Sequence, residues 1–494
     1  MTTSGEKHRD GAPRYVAAWL PARSGIAVRV LRAVRRRAVR GCLAITAVGW
    51  VAVLAGPGAA SPAAAAGAGN DTPPVPGAQL WASSYNGPGN GIDEATAVAA
   101  APGGSAVFVT GLSAGLCCTN FATIAYDAAT GAQLWASRYH GPGDADFARA
   151  VAVSPDGRRV FVTGFSSSNN ARSRFAYATV AYNAATGGQL WASRYNGPEN
   201  RSNDFALAVS PGGRKVFVTG LTIRDGSGVD YATVAYNAAT GAKVWASRYT
   251  SPGNHTDFAR AVAVSPDGRT VFVTGDSHGR SRSRSSWDYA TVAYRAATGT
   301  QLWVRRYNGP GNSTDDARSV TAGPGGQTVY VTGRSKGATS VAGFATIAYN
   351  AATGATRWVS RYQAPRNSPA GAHSVTTSPG GHAVYVTGST SSGPSYLTIA
   401  YRAATGATLW VSSYPGQGGR SVAAAPDGHA VYVTGTAGVG YGTVAYDAAT
   451  GAELWAATSF SAGSQAAALA VGPAGDVYIT GTNADDYGTV AYQG

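Results

Sequence analysis

Cysteine is scarce in this 494-residue chain, with three in all, at Cys42, Cys117 and Cys118, and there is a single Met. Three thiols cannot build a disulfide scaffold, and the seven His stand at no spacing suited to a zinc module. Charge is also thin, at 13% of residues, but a hydrophobic fraction of 44% with 26 Tyr excludes a disordered chain. No phosphate-binding loop and no pair of catalytic carboxylates can be found. Gly111-Leu-Ser-Ala-Gly115 matches the Gly-x-Ser-x-Gly pattern of serine hydrolases, yet that elbow needs a strand followed by a helix, and a second strand follows here.

A long apolar run is missing as well. The one from Cys42 to Ala55 is short for a helix that must span about 30 Å of hydrocarbon. It follows the Arg-rich stretch Arg29–Arg40 and precedes a small-residue zone, the order of a signal peptide. Residues 1–60 are therefore expected to be an export signal and 61–76 a linker, giving a secreted or cell-surface protein with no stable membrane span after cleavage. Ten of the 39 Lys/Arg and two of the 25 Asp/Glu fall in residues 1–60, so +8 of the +14 net charge belongs to that segment. The remaining +6 on the body is too modest to suggest nucleic acid as a partner.

What the chain has in abundance is one repeat. Ala125-Tyr-Asp-Ala-Ala-Thr-Gly-Ala-Gln-Leu-Trp135 recurs in copies ending at Trp191, Trp245, Trp303, Trp358, Trp410 and Trp455, with a half-copy at Trp81 and the complementary half at Ala491-Tyr492. Around each copy stand a short apolar run, a Ser-Pro-Asp-Gly-type turn, a Val-Thr-Gly run, a variable polar loop and an Ala-Tyr run. Pro presets the turn and Gly accepts positive φ, while β-branched and aromatic residues favour strands. Four antiparallel strands per repeat, at a period near 50 residues, define β-propeller blades. The fold class is all-β, an eight-bladed propeller over residues 77–494. The eighth blade takes its outer strand from the N-terminus and its other three from the C-terminus, and so closes the ring. The eight Trp are expected to pack between blades.

Turns between the first and second strands and between the third and fourth are short and uniform, so one rim is tight. The loops between the second and third strands and between blades vary, and a local function belongs on their rim. An acid recurs near the start of the first strand at Asp93, Asp146, Asp204, Asp257 and Asp315. These carboxylates suit either a calcium-binding collar or backbone hydrogen bonds where each blade begins. Arg138, Arg194, Arg248, Arg306 and Arg361, three residues after Trp, suit a basic belt or a charged edge that blocks aggregation.

The Ala-x-Asp-x-x-Thr-Gly-x-x-x-Trp pattern resembles the tryptophan-docking repeat of the quinoprotein propellers, those of the pyrroloquinoline quinone type, and the whole repeat resembles secreted bacterial β-propeller repeat proteins. The resemblance implies that the adjacent Cys117 and Cys118, in the variable loop of the first blade, would form a vicinal disulfide against a quinone, with calcium beside it. These blades are shorter and more regular than those of such enzymes. The expectation is thus a monomeric binding or scaffold protein without a cofactor, whose partner is a protein, a glycan or a cell-wall ligand. The alternative is an alcohol or sugar dehydrogenase dependent on pyrroloquinoline quinone and calcium.

Overall fold

The computed structural model describes residues 75–494 except 169–170, 199–201, 225–227, 254, 279–286, 339–340, 366–367, 392–394, 439 and 462, and except the side chains of 171–174, 203–204 and 224. The expected signal and most of the linker lie outside the described residues. No helix among the described residues is long and apolar enough to cross a membrane.

Strands β1–β32 form eight sheets of four. Blade 1 is typical, with β2 (Asp93–Ala100), β3 (Ala106–Ala114), β4 (Thr119–Asp127) and β5 (Gln133–Tyr139) hydrogen-bonded in that order and antiparallel. Blades 2 to 7 repeat the order with consecutive strands. Blade 8 combines β30–β32 (Gln465–Val471, Val477–Asn483, Asp486–Tyr492) with β1 (Gln79–Tyr85), and β1 lies antiparallel to β32, Tyr85 opposite Tyr487. First strands of successive blades lie against one another, so they surround the axis, while the fourth strands face solvent.

Two irregularities recur in every blade. In the first strand the register slips by one residue, at Ala95/Ala97 in blade 1, opposite the Gly of Val-Thr-Gly. A Cβ on Gly111 would stand 2.0 Å from the Glu94 carbonyl oxygen, so only glycine lets the bulged strand approach so closely. In the fourth strand the slip falls at the residue before Trp, which leaves Leu134 exposed and Trp135 buried.

That second bulge turns the indole towards the next blade. Trp81, Trp135, Trp191, Trp245, Trp303, Trp358 and Trp410 donate Nε1–H to an alanine carbonyl of the following blade's turn at 2.8–3.1 Å. The Gly of each turn Thr-Gly sits under the ring of the preceding blade's Trp, as Gly241 does under Trp191, and Gly77, after Pro76, takes the same place under Trp455. In most blades the Ser two residues beyond Trp adds a bond to that glycine's carbonyl, Ser137 to Gly187 for example. Inside each blade a buried Thr–Thr pair joins the second and third strands, at 2.9–3.3 Å in all eight. Apolar clusters fill the interfaces between neighbouring blades, as where Phe108 and Trp135 meet Val160 and Tyr182.

Candidate functional site

The tight rim is as uniform in structure as in sequence. Asp127 Oδ1 accepts from the amides of Ala129 and Thr130 and from the Thr130 hydroxyl, and these bonds hold its carboxyl below the usual range. Where Arg295 and Arg402 replace the acid, backbone bonds keep the turn, with the Thr298 and Thr405 hydroxyls each accepting from an amide. A depression of about 590 Å³ lies on this rim between blades 2 and 3, lined by residues including Pro155, Arg159, Arg214 and Asn237. Its walls are the repeating turns themselves.

The opposite rim carries the sequence-derived candidates. Asp93, Asp146, Asp257 and Asp315 are fully buried, and each accepts a 2.7 Å bond from an amide of the loop that enters its blade, at Gly87, Gly141, Ser251 and Gly309. Burial raises all four pKa values, against the lowering effect of a second-strand Ser. Four of the five Arg residues expected as a belt reach the same serines, whereas Arg248 of blade 3, where Thr222 replaces the Ser, is exposed. Arg138 Nη1 donates to Ser113 Oγ at 2.6 Å and to Tyr85 of the preceding blade at 3.3 Å. Arg194, Arg306 and Arg361 repeat the contact with Ser166, Ser277 and Ser335.

Asp, Ser and Arg thus form one polar triplet on three strands, its Asp and Ser buried and its Arg half-buried or, at Arg361, exposed, and Ser113 of the hydrolase-like motif is a member of it. Sequence reading treated the Asp and Arg as separate rings and missed the Ser. The signal was that all three residue types disappear together in blades 6 to 8. In blade 8 Ser464, Asn483 and Ser84 take the three places and bond one another at 3.1 and 3.3 Å.

Asp204 is not a member. Its backbone pairs with Gly220, the place held by Ala148 in blade 2, and its side chain lies outside the described residues. Ser202 occupies the acid's position instead, bonded to Thr222 and to the Asn196 carbonyl. The loop before blade 3 is as long as the one before blade 2, and the acid stands two residues further along the strand.

No three His, Cys, Asp or Glu side chains gather into a metal-binding group among the described residues. The buried carboxylates are separated blade by blade, and each is engaged within its own, so the described donor set does not fit a calcium ion. Cys117 and Cys118 are free thiols, Cys117 exposed and Cys118 less so. Cys118 Sγ lies 3.9 Å from His140 Nδ1, and burial, then Cys117 beside it, pushes the Cys118 thiol up to about 12. A thiol so protonated is a poor nucleophile at neutral pH.

Geometry defines an eight-bladed propeller of tryptophan-docked blades, with a uniform rim and a variable one. The chain belongs to the family described as outer membrane protein assembly factor BamB (PQQ_2), whose model matches residues 120–392 and 395–491. No curated protein matches it. Among solved structures it is similar to BamB from Moraxella catarrhalis, with 18% identity, TM-score 0.50, and 84% of this chain and 99% of that one covered. It is similar to the Dos1 propeller at 10% identity and TM-score 0.56, covering 84% and 95%. Similarity extends to Chaetomium thermophilum Sqt1, solved bound to the N-terminus of ribosomal protein L10, at 13% identity and TM-score 0.58, covering 83% and 98%. At these identities the likenesses concern the fold.

Proposed function

We propose that this chain is an exported, monomeric propeller that acts as a binding scaffold and presents its variable rim to a protein partner. The observation that carries the reading is the division of labour between blades. The Trp dock and the apolar interfaces that join blade to blade are repeated round the ring, whereas the differences gather in the loops and strand ends of one rim. Membership of a family described as an assembly factor and likeness to a propeller solved with a protein segment bound point to a protein before a glycan or cell-wall ligand.

The test is site-specific photocrosslinking in the exporting cell. A photoreactive residue at Leu116 or His255, on the variable rim, is expected to capture one discrete protein, and one at Gly212, on the tight rim, to capture none. Equal capture from both rims, or none from the variable rim, overturns the reading. Cofactor chemistry is not part of it, because the Asp carboxylates are committed to their own blades. Added pyrroloquinoline quinone and calcium should give no bound chromophore and no dye reduction with alcohols.

A further inference from the structure

The bulge near the start of each first strand sets one residue per blade beside the axis, at the variable-rim end. Those residues are Thr96, Arg149, Phe205, Arg260, Arg318, His373, Arg420 and Ala467. They interact round the ring. Thr96 Oγ1 bonds the Ala148 carbonyl of blade 2 at 3.0 Å, and His373 Nδ1 bonds the Gly419 carbonyl of blade 7, in the matching place, at 2.9 Å. The Arg260 guanidinium lies 5.5 Å from the centre of the Phe205 ring in the preceding blade. The charges of Arg318 and Arg420, on either side of His373, join its burial in pushing that imidazole down to about 4.

Internal comparison separates this position from its neighbours. The residue before it is Ala in blades 1, 2, 4, 5, 6 and 8, and the Thr-Gly opposite is present in all eight. A position with a purely structural duty repeats in the same way, but this one holds five residue types and four of the eight are Arg. Bulges re-aim side chains, and here four of the re-aimed residues are Arg, two of which, Arg318 and Arg420, stand on either side of His373.

The acids nearby offset this charge only in part. Asp276 is taken by Arg260 at 2.8 and 2.9 Å. Glu94 is half-buried beside blade 2 and feels the charge of both Arg149 and Arg420. Asp316 stands opposite Arg334 in the strand register, and its charge is felt by Arg260 and Asp276. Arg318 and Arg420 are exposed, and His373 between them, its Nδ1–H donated to the Gly419 carbonyl, is neutral at pH 7 and adds no charge that would offset theirs. The aromatic faces near the ring are already covered: Phe258 has Arg260 at 5.6 Å and Trp287 stacked at 5.5 Å. What the ring has left to offer is guanidinium donors, which bind carboxylates in a forked, charge-assisted geometry. A sugar that needs an open ring to stack on is served less well.

We infer that the axial ring at the variable rim binds an acidic segment of a protein partner, with Arg318 and Arg420 taking its carboxylates. The inference rests on the scaffold reading above and names where and by what chemistry the partner is held. Fluorescein-labelled hexaglutamate is the probe, followed by anisotropy on the full chain, with hexaglutamine and an oligogalacturonate of equal charge as comparators. Hexaglutamate is expected to bind, to weaken as salt rises from about 20 to about 200 mM, and to lose at least about tenfold in affinity in the Arg318→Gln/Arg420→Gln double variant. Arg158→Gln on the tight rim should change nothing, and unaltered melting of the double variant will show that it folds. Charge reversal at both positions to Glu should transfer binding to hexalysine.

Absence of hexaglutamate binding, indifference to the double variant, or tighter Arg-dependent binding of the oligogalacturonate overturns the inference. If photocrosslinks from the variable rim persist unchanged in the double variant, the scaffold reading stands and the axial site alone falls.

Discussion

At Gly241 two demands meet in one residue. Its φ of +71° is costly for any residue with a Cβ, and a Cβ there would stand 2.6 Å from the Trp191 ring. Gly241→Ala should therefore cost roughly 2–4 kcal/mol in chemical denaturation, from left-handed backbone strain and overpacking together. Gly212→Ala, with no atom within 4 Å of its new Cβ, is the control and should leave the midpoint almost unchanged. Equal effects would mean that the interblade dock is soft. This pair also shows why the motif names the fold and not a chemistry. Gly serves the turn and the ring face, Trp reaches the next turn, and Asp127 ties its own loop, so the motif is used up by docking.

Strand geometry explains what could and could not be read ahead. The four strands, two uniform turns and closing half-repeats were legible because each follows from local periodicity and turn chemistry. The Asp–Ser–Arg triplet was not, since Asp257, Ser277 and Arg306 meet only when three strands pair. Asp204 was misaligned with Asp146 because a sequence shows the acid but not the register, and Ser202 fills the place.

The axial bulge has a measurable electrostatic cost at Asp276, which faces Phe258 across the first two strands of blade 4. Burial outweighs the attraction of Arg260 and raises its pKa from 3.8 to about 6. An acid with a raised folded pKa contributes stability that is fully present below its unfolded value and is lost as pH rises through the folded one. Between pH 4 and pH 7 the protein should lose on the order of 2–3 kcal/mol relative to Asp276→Asn. Thermal melts of both chains across that range check it, and parallel curves would show that the carboxylate titrates normally.

For the molecule as a whole, one strand secures the ring. β1 supplies Trp81 to the Ala128 carbonyl, Ser83 to that of Gly131, and Tyr85 to Arg138. Deleting residues 78–85 removes all three along with the pairing to β32, and should cost roughly 4 kcal/mol or more, given the range for one buried aromatic alone. Calorimetry of the truncated chain should show a lower melting temperature, and light scattering should show self-association through the newly bare edge. A truncated chain that melts like the full one would mean that the ring does not depend on this closure.

Thermal resistance and mechanical resistance need not coincide in such a ring. The Gly77 amide donates to the Gln493 carbonyl and the Gln493 amide to that of Ala78, each at 2.9 Å, so both ends of the described chain leave the last sheet at the same corner. Tension applied between them opens the β1–β32 pair from that corner, one rung at a time, as a zipper opens, without sharing the force among all the rungs. A ring in which docked indoles oppose heat would then yield at low force, and always first at blade 8.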